Sequence, residues 1–222
     1  MSIVKLPLYL DSLCCEHGRV RIIHNIPAND GFPVTVSLNG QVIKENVQYK
    51  SVVDYIELPS GKYELTLQHA EDTPISRKFR LKPDRDLTLI ASGNPNNDEF
   101  PLEIIKYEDD NSCEGCRAKV QVIHGSPGAP PIDVMIDDMT PILDLQYPES
   151  SKIVLLNSDE YHVKINIVNT NINLFNQHLN FHAKQSYTLL ATGIVPPQDA
   201  QPPLPPDFGV LLLQVECTKD KC

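Results

Sequence analysis

Apolar and polar residues alternate with a period of two along most of this chain, in short runs separated by turn residues. Such alternation places successive side chains on opposite faces of a strand, and the 3.6-residue period of an amphipathic helix is missing. Asn39-Gly40 and Pro59-Ser60-Gly61 are typical of the turns between the runs. The pattern therefore predicts an all-β fold of short strands at spacings of roughly 8–12 residues.

The strand pattern occurs twice. Residues 19–27 (RVRIIHNIP) align with residues 119–127 (KVQVIHGSP) at an offset of 100. Residues 47–67 align with residues 145–165 without a gap, and five of these 21 positions are identical. Self-similarity over this length indicates two copies of one fold. With about seven strands in each copy, the sequence predicts two tandem seven-stranded β-sandwiches.

The two copies predict a domain organisation. We expect an N-terminal segment at 1–17, a first sandwich at 18–108, an acidic, cysteine-bearing linker at 109–117 and a second sandwich at 118–222. A sandwich of about 100 residues is large enough to enclose its own core. We expect the two sandwiches to lie end to end as a rigid two-module rod.

The net charge of −10, from 29 acidic and 19 basic residues, limits the partners. Binding to a phosphate backbone needs clustered Lys and Arg, and no basic run here exceeds two residues, so we expect no nucleic-acid partner. No apolar run approaches the roughly 18–20 residues of a spanning helix, so we expect no transmembrane segment. The N-terminal apolar stretch is interrupted by Lys5 and Pro7, which does not fit a signal peptide.

The second copy opens on a motif, KVQVIHGSPGAPPIDVMID, at residues 119–137. It resembles the opening VHxSPxAPxVDV of the domain-of-unknown-function family numbered 4397, and the matching residues are His124, Ser126, Pro127, Ala129, Pro130 and Asp133. The first copy keeps His24 and Pro27 but has Ile26 for the serine and Thr35 for the aspartate. The resemblance implies tandem immunoglobulin-like or transthyretin-like β-sandwiches of secreted or envelope proteins, with no established activity.

His24 and His124 each end a strand and precede a turn that contains Pro27 or Pro127. A residue that recurs in both copies while its neighbours vary is better explained by folding than by chemistry. We therefore predict that each imidazole hydrogen-bonds loop backbone and holds the turn against the end of the sheet. The alternative is a ligand or a general base.

The residue types of a nucleophilic triad occur at His124, Ser126 and Asp133. Ser126 lies within the His124 turn, without the strand–elbow–helix that exposes a nucleophilic hydroxyl, and the first copy lacks the set. We therefore predict a non-enzymatic protein with no catalytic residues, no metal site and no cofactor.

Six cysteines lie outside the predicted sandwich cores, at Cys14, Cys15, Cys113, Cys116, Cys217 and Cys222. Disulfides are one interpretation, and the sequence leaves fifteen connectivities open. Free thiols are a second. The spacing of Cys113 and Cys116 also allows a zinc site, provided that two further ligands come from elsewhere in the chain.

These observations favour a structural or interaction protein with a protein partner, a second copy of the chain among the candidates. A cell-surface, extracellular or virus-particle location is favoured over that of a soluble cytosolic enzyme. Edge cysteines without a targeting signal fit a particle that is assembled in the cytosol and oxidised later. The alternative function is a small-ligand or carbohydrate module at the loop end of the second sandwich, near His124 and the proline-rich segment 196–206.

Overall fold

The sequence folds into two β-sandwiches, one for each copy of the repeat. A computed structural model describes residues 16–27, 32–70, 74–137, 141–193 and 209–217. The strands are β1 (His17–His24), β2 (Val34–Leu38), β3 (Gln41–Val47), β4 (Val52–Pro59), β5 (Gly61–Gln68), β6 (Ile75–Leu81), β7 (Asp86–Ser92), β8 (Glu103–Asp109), β9 (Ala118–His124), β10 (Ile132–Ile136), β11 (Ile142–Leu145), β12 (Val154–Leu156), β13 (Asp159–Ile167), β14 (Asn173–Phe181), β15 (Gln185–Thr192) and β16 (Gly209–Glu216). The all-β prediction is confirmed. Within these ranges, no helix has the length and apolarity that crossing a membrane requires.

Each sandwich consists of two four-stranded sheets. We call β4-β1-β7-β8 and β12-β9-β15-β16 the inner sheets, and β3-β2-β5-β6 and β11-β10-β13-β14 the outer sheets of repeats 1 and 2. Strand β1 runs parallel to β7, and β9 runs parallel to β15, whereas the other paired strands are antiparallel. Immunoglobulin constant domains group their strands as ABED and CFG. The order here differs from that grouping and favours the transthyretin-like arrangement.

The described residues form eight strands in each repeat, where the sequence predicted seven. The pattern missed β3 and β11, which lie at the edges of the outer sheets. Of the seven residues of β3, Val47 alone is buried, and both strands pair with irregular register. An edge strand exposed on both faces carries no alternation to detect. Asn39 and Gly40 join β2 to β3 with φ of 49° and 78°, as a two-residue hairpin turn requires.

Each sandwich encloses an apolar core between its inner and outer sheets. The core of repeat 1 includes Val20, Ile22, Val36, Leu65, Leu67, Leu81, Leu87 and Leu89. The core of repeat 2 includes Val120, Val122, Val134, Val163, Ile165, Phe181 and Leu189. The alternation of buried and half-buried residues in β2 and β10 shows directly how the period of two fills these cores.

A third apolar cluster lies between the repeats, and we call it the inter-repeat core. Ile23 and Ile90 of repeat 1 pack there with Ile123, Leu190 and Leu213 of repeat 2, each at most 8% exposed. All seven residues of β7 are buried, so this strand is covered on both faces. The two sandwiches therefore pack inner sheet against inner sheet. The expectation of an end-to-end rod is wrong.

Candidate functional site

His24 lies at the end of β1 and is 1% exposed. Its Nε2 is 2.6 Å from the carbonyl oxygen of Phe32, and its Nδ1 is 3.3 Å from the backbone nitrogen of Ile26. Because Nδ1 accepts the backbone N–H, the ring proton is on Nε2, which donates to the carbonyl. The imidazole thus ties the strand end to the far side of the following turn.

His124 makes the equivalent contacts at the end of β9. Its Nε2 is 3.1 Å from the carbonyl oxygen of Pro130, and its Nδ1 accepts the backbone N–H of Ser126 at 3.3 Å. The Asp133 carboxylate accepts the backbone N–H of Asp144 at 2.9 Å, and the Ser126 hydroxyl is buried without a hydrogen-bond partner. Both ring nitrogens of His124 are therefore bonded to backbone, and the three side chains do not form a triad.

We call His24 and His124 the turn histidines. Burial lowers the pKa of each, and the smaller opposing effect of the accepting carbonyl does not reverse the shift, so both rings are neutral at pH 7. Pro27 and Pro127, in the same turns, are also buried. The turn-holding role of these four residues stays a prediction, and the contacts of the two rings support it.

Polar side chains of each repeat reach across to the other repeat. The Tyr49 hydroxyl lies 3.4 Å from Oγ1 of Thr192, and the Tyr147 hydroxyl donates to Oγ of Ser92 at 3.3 Å. The two tyrosines occupy equivalent positions in the repeats, as do Ser92 and Thr192. The contacts are therefore reciprocal, as in an isologous interface between two copies of one subunit. Each tyrosine also packs edge-on against the turn histidine of its own repeat, at centroid distances of 6.5 and 6.4 Å.

Asn25 and Gly125 follow the turn histidines and meet at the centre of this interface. Nδ2 of Asn25 donates to the carbonyl oxygen of Gly125 at 2.6 Å. A Cβ at position 125 would lie 2.5 Å from Cδ1 of Leu190 and 2.9 Å from the carbonyl oxygen of Ala191. A glycine is needed here because Leu190 and Ala191 of β15 in the same repeat, and the Asn25 amide of repeat 1, lie too close for any side chain.

Charged side chains lie on the face of the repeat 1 inner sheet that packs toward repeat 2; Arg21 and Asp86 are buried there, and Arg19 is half-buried. Arg19 forms a bidentate pair with Asp86, at 2.9 and 2.6 Å. Arg21 is 4% exposed and donates to Thr88 from Nε and Nη2, at 3.1 and 2.9 Å. Its Nη2 also lies 3.4 Å from Oγ1 of Thr188 in repeat 2. These contacts extend the polar network from one repeat into the other.

Asp109 is the second buried carboxylate of this network. Its Oδ2 accepts from the hydroxyls of Tyr55 and Thr88 at 2.8 and 2.7 Å. Its Oδ1 lies 3.8 Å from Nη2 of Arg21 and makes no hydrogen bond. Burial raises the pKa of Asp109, and the charge of Arg21 opposes that shift. The Tyr55 ring is 4.9 Å from each guanidinium of Arg19 and Arg21, so two cations and two carboxylates cluster around this ring, and 29% of the Arg19 side chain remains exposed.

Three of the six cysteines fall within the described residues, and all three are unbonded. They are Cys113, Cys116 and Cys217, whereas Cys14, Cys15 and Cys222 lie outside the described residues. Cys116 is exposed, Cys113 is half-buried, and Cys217 is 8% exposed. In the part of the chain that the structure describes, no three His, Cys, Asp or Glu side chains are placed to hold a metal ion.

Two cavities open on the surface of repeat 1. The first, of about 390 Å³, lies at the loop end, where the rings of Phe32 and His69 stack at 4.0 Å; its further lining includes Asn94, Pro95, Asn97, Asp98 and Pro101. The second, of about 400 Å³, lies beside the outer sheet and is lined by Asn39, Lys62, Tyr63, Glu64, Lys78, Phe79 and Arg80. The sequence predicted a ligand site at the loop end of repeat 2. The proline-rich segment 196–206, which belongs to that predicted site, lies outside the described residues.

One family model matches the chain twice, over residues 18–114 and 118–207, and its description is a domain of unknown function, DUF4397. The chain belongs to the DUF4397 family. The resemblance found in the sequence is thereby confirmed, and the two sandwiches are two DUF4397 repeats. No curated protein matches the chain.

Proposed function

We propose that this tandem DUF4397 protein is a non-enzymatic structural or interaction protein, a component of a cell surface or a virus particle. In this proposal the two repeats act as one rigid block. The supporting observation is the inter-repeat core, in which Ile23, Ile90 and Leu190 are at most 1% exposed. Because the two inner sheets pack against each other, the outer sheets and the loop ends are the surfaces available to a partner.

The outer sheet of repeat 1 indicates the chemistry of one such partner. On β5 and β6, Lys62 lies opposite Arg80, and Glu64 lies opposite Lys78. All three cations are exposed, in a chain whose net charge is −10. Two like charges directly opposite each other on neighbouring strands destabilise a sheet, which gives an acidic partner a favourable place to bind.

Lysine-reactive cross-linking of the protein in its native assembly, followed by mass spectrometry, tests this proposal. We expect cross-links from Lys62 and Lys78 to a second protein. Lys119, on the inner sheet, is the internal control, because it is 5% exposed and bonded to Asp110 and Ser112 at 2.7 Å each. A partner cross-linked through Lys119, or absence of the protein from both surface and particle fractions, would contradict the proposal.

A second candidate function, binding of a small carbohydrate, is supported by the loop-end cavity of repeat 1. Its volume of about 390 Å³ falls in the range of small-ligand pockets. Stacked Phe32 and His69 provide an aromatic wall, and Asn97 and Asp98 provide polar groups at the lining. This arrangement suits an uncharged sugar, which has apolar ring faces and hydroxyls at its edges.

Calorimetric titration with a panel of neutral mono- and disaccharides tests the second candidate. We expect binding by the wild type, loss of binding in His69→Ala, and unchanged binding in Tyr63→Ala, which alters the other cavity. Heats indistinguishable from dilution in the wild type would remove this candidate.

A further inference from the structure

The segment that follows β8 is held against the start of β15 and the end of β16. Oγ of Ser186 lies 3.3 Å from the carbonyl oxygen of Asp110, to which it donates. The backbone N–H of Lys184 donates to the carbonyl of Arg117 at 3.1 Å, and the backbone N–H of Cys217 donates to the carbonyl of Lys184 at 2.9 Å. Residues 110–117 are thereby fixed at both ends beside Cys217.

This arrangement places two cysteines beside each other. Cys217 follows the last residue of β16, and its Sγ is 3.8 Å from Oγ of Ser186. Burial raises the pKa of the Cys217 thiol, and the neighbouring Cys113 thiol raises it further. Cys116, three residues further along the chain, is exposed. Among the three cysteines that the structure describes, Cys113 and Cys217 are the pair that this arrangement brings together.

We propose that Cys113 and Cys217 form a disulfide by exchange with a low-molecular-weight disulfide. The Cys113 thiol is the more accessible of the two; it loses its proton, and the thiolate attacks one sulfur of the donor. A mixed disulfide forms, and one donor thiol leaves. The Cys217 thiol then loses its proton and attacks the sulfur of Cys113, which releases the second donor thiol. Two protein thiols are oxidised to one disulfide, and the donor disulfide is reduced to two thiols.

The disulfide secures a strand on which the inter-repeat core depends. Strand β16 contributes Leu213 and Leu211 to that core, and it pairs with β15 alone at the edge of the inner sheet. The cross-link closes a loop from 113 to 217, which spans nearly all of repeat 2. A loop of this length loses much conformational entropy in the unfolded chain. We expect the oxidised protein to melt roughly 10 °C above the reduced protein.

Peptide mapping after oxidation tests the pairing. The full-length protein is incubated with oxidised glutathione, its remaining thiols are alkylated, and it is digested with trypsin and a glutamate-specific protease. Cleavage after Glu114 separates Cys113 from Cys116, and cleavage after Glu216 isolates Cys217 within residues 217–219. We expect a linked pair of peptides, one with Cys113 and one with Cys217.

Two matched variants complete the experiment. Cys116→Ser retains the linked peptides and the rise in Tm, whereas Cys113→Ser loses both while its reduced form melts at the wild-type temperature. Alkylated Cys217 under conditions that oxidise other cysteines, or its linkage to Cys116, would overturn the proposal. A linked pair without a rise in Tm would overturn the stabilising role of the disulfide.

Discussion

Truncation of Leu190 to alanine tests the packing of one repeat on the other. Leu190 is fully buried in the inter-repeat core, on the face of β15 that points away from the core of its own sandwich. Removing a buried leucine side chain costs about 2–5 kcal/mol, from lost transfer energy and from the cavity left behind. For a chain of this length, each kcal/mol lowers Tm by about 2–4 °C. We therefore expect Leu190→Ala to lower Tm by roughly 5–15 °C.

Thermal and urea unfolding followed by circular dichroism provides the assay, since the chain has eight tyrosines and no tryptophan. Leu143→Ala is the matched control, because Leu143 is 65% exposed and its truncation should change stability by less than about 0.5 kcal/mol. In an end-to-end rod, Leu190 would lie on an open face and behave like Leu143. Equal, small effects of the two substitutions would refute the inner-sheet packing.

Three further predictions concern the same interface and the turns beside it. Gly125→Ala should lower the free energy of unfolding by about 1–3 kcal/mol in a urea titration, because the added methyl overlaps atoms of both repeats. Gly209→Ala is the control: its Cβ has space around it, and the same titration should show a change of less than about 0.5 kcal/mol. Arg21→Met should cost about 3–5 kcal/mol by leaving the buried Asp109 carboxyl without its compensating cation. Adding Asp109→Asn should recover part of that loss, and no recovery would show that the charge pair is not the cause. The turn histidines have pKa values in the folded state below the unfolded value of 6.5, so the unfolded chain binds more protons. The free energy of unfolding therefore falls as pH drops below 6.5, by up to about 2.7 kcal/mol per pH unit for the two histidines together. A variant with both histidines replaced by glutamine and an unchanged slope would contradict this.

The alternation of the strands made the two sandwiches predictable. Strands β2 and β10 each have one face on a core and one nearer solvent, so a period of two is visible in their sequences. The edge strand β3 was missed for the opposite reason, because Val47 alone of its seven residues is buried and the others show no alternation. Apolar and polar residues alternate only where one face of a strand packs on the core and the other meets water. A strand with water on both faces has no such alternation and cannot be recognised from it.

The contact between the repeats could not be derived from the same reasoning. Arg19 and Arg21 alternate with core residues of β1, and in a lone sandwich their face would be open to water. In the structure, Arg21 is 4% exposed and contacts Thr188 of the second repeat, and position in the sequence does not encode which face a neighbouring module will cover. One signal was present: consecutive apolar pairs, Ile22-Ile23 in β1 and Leu189-Leu190 in β15, indicate strands that are buried on both faces.

The central claim, that two DUF4397 repeats pack inner sheet on inner sheet, is tested most directly by nuclear Overhauser contacts between methyl groups. In protein with labelled isoleucine and leucine methyls, the account predicts contacts that join Ile23 and Ile90 to the methyls of Leu190 and Leu213. If these methyls show contacts within their own repeats and none between the repeats, the sandwiches do not share a core, and the account is contradicted.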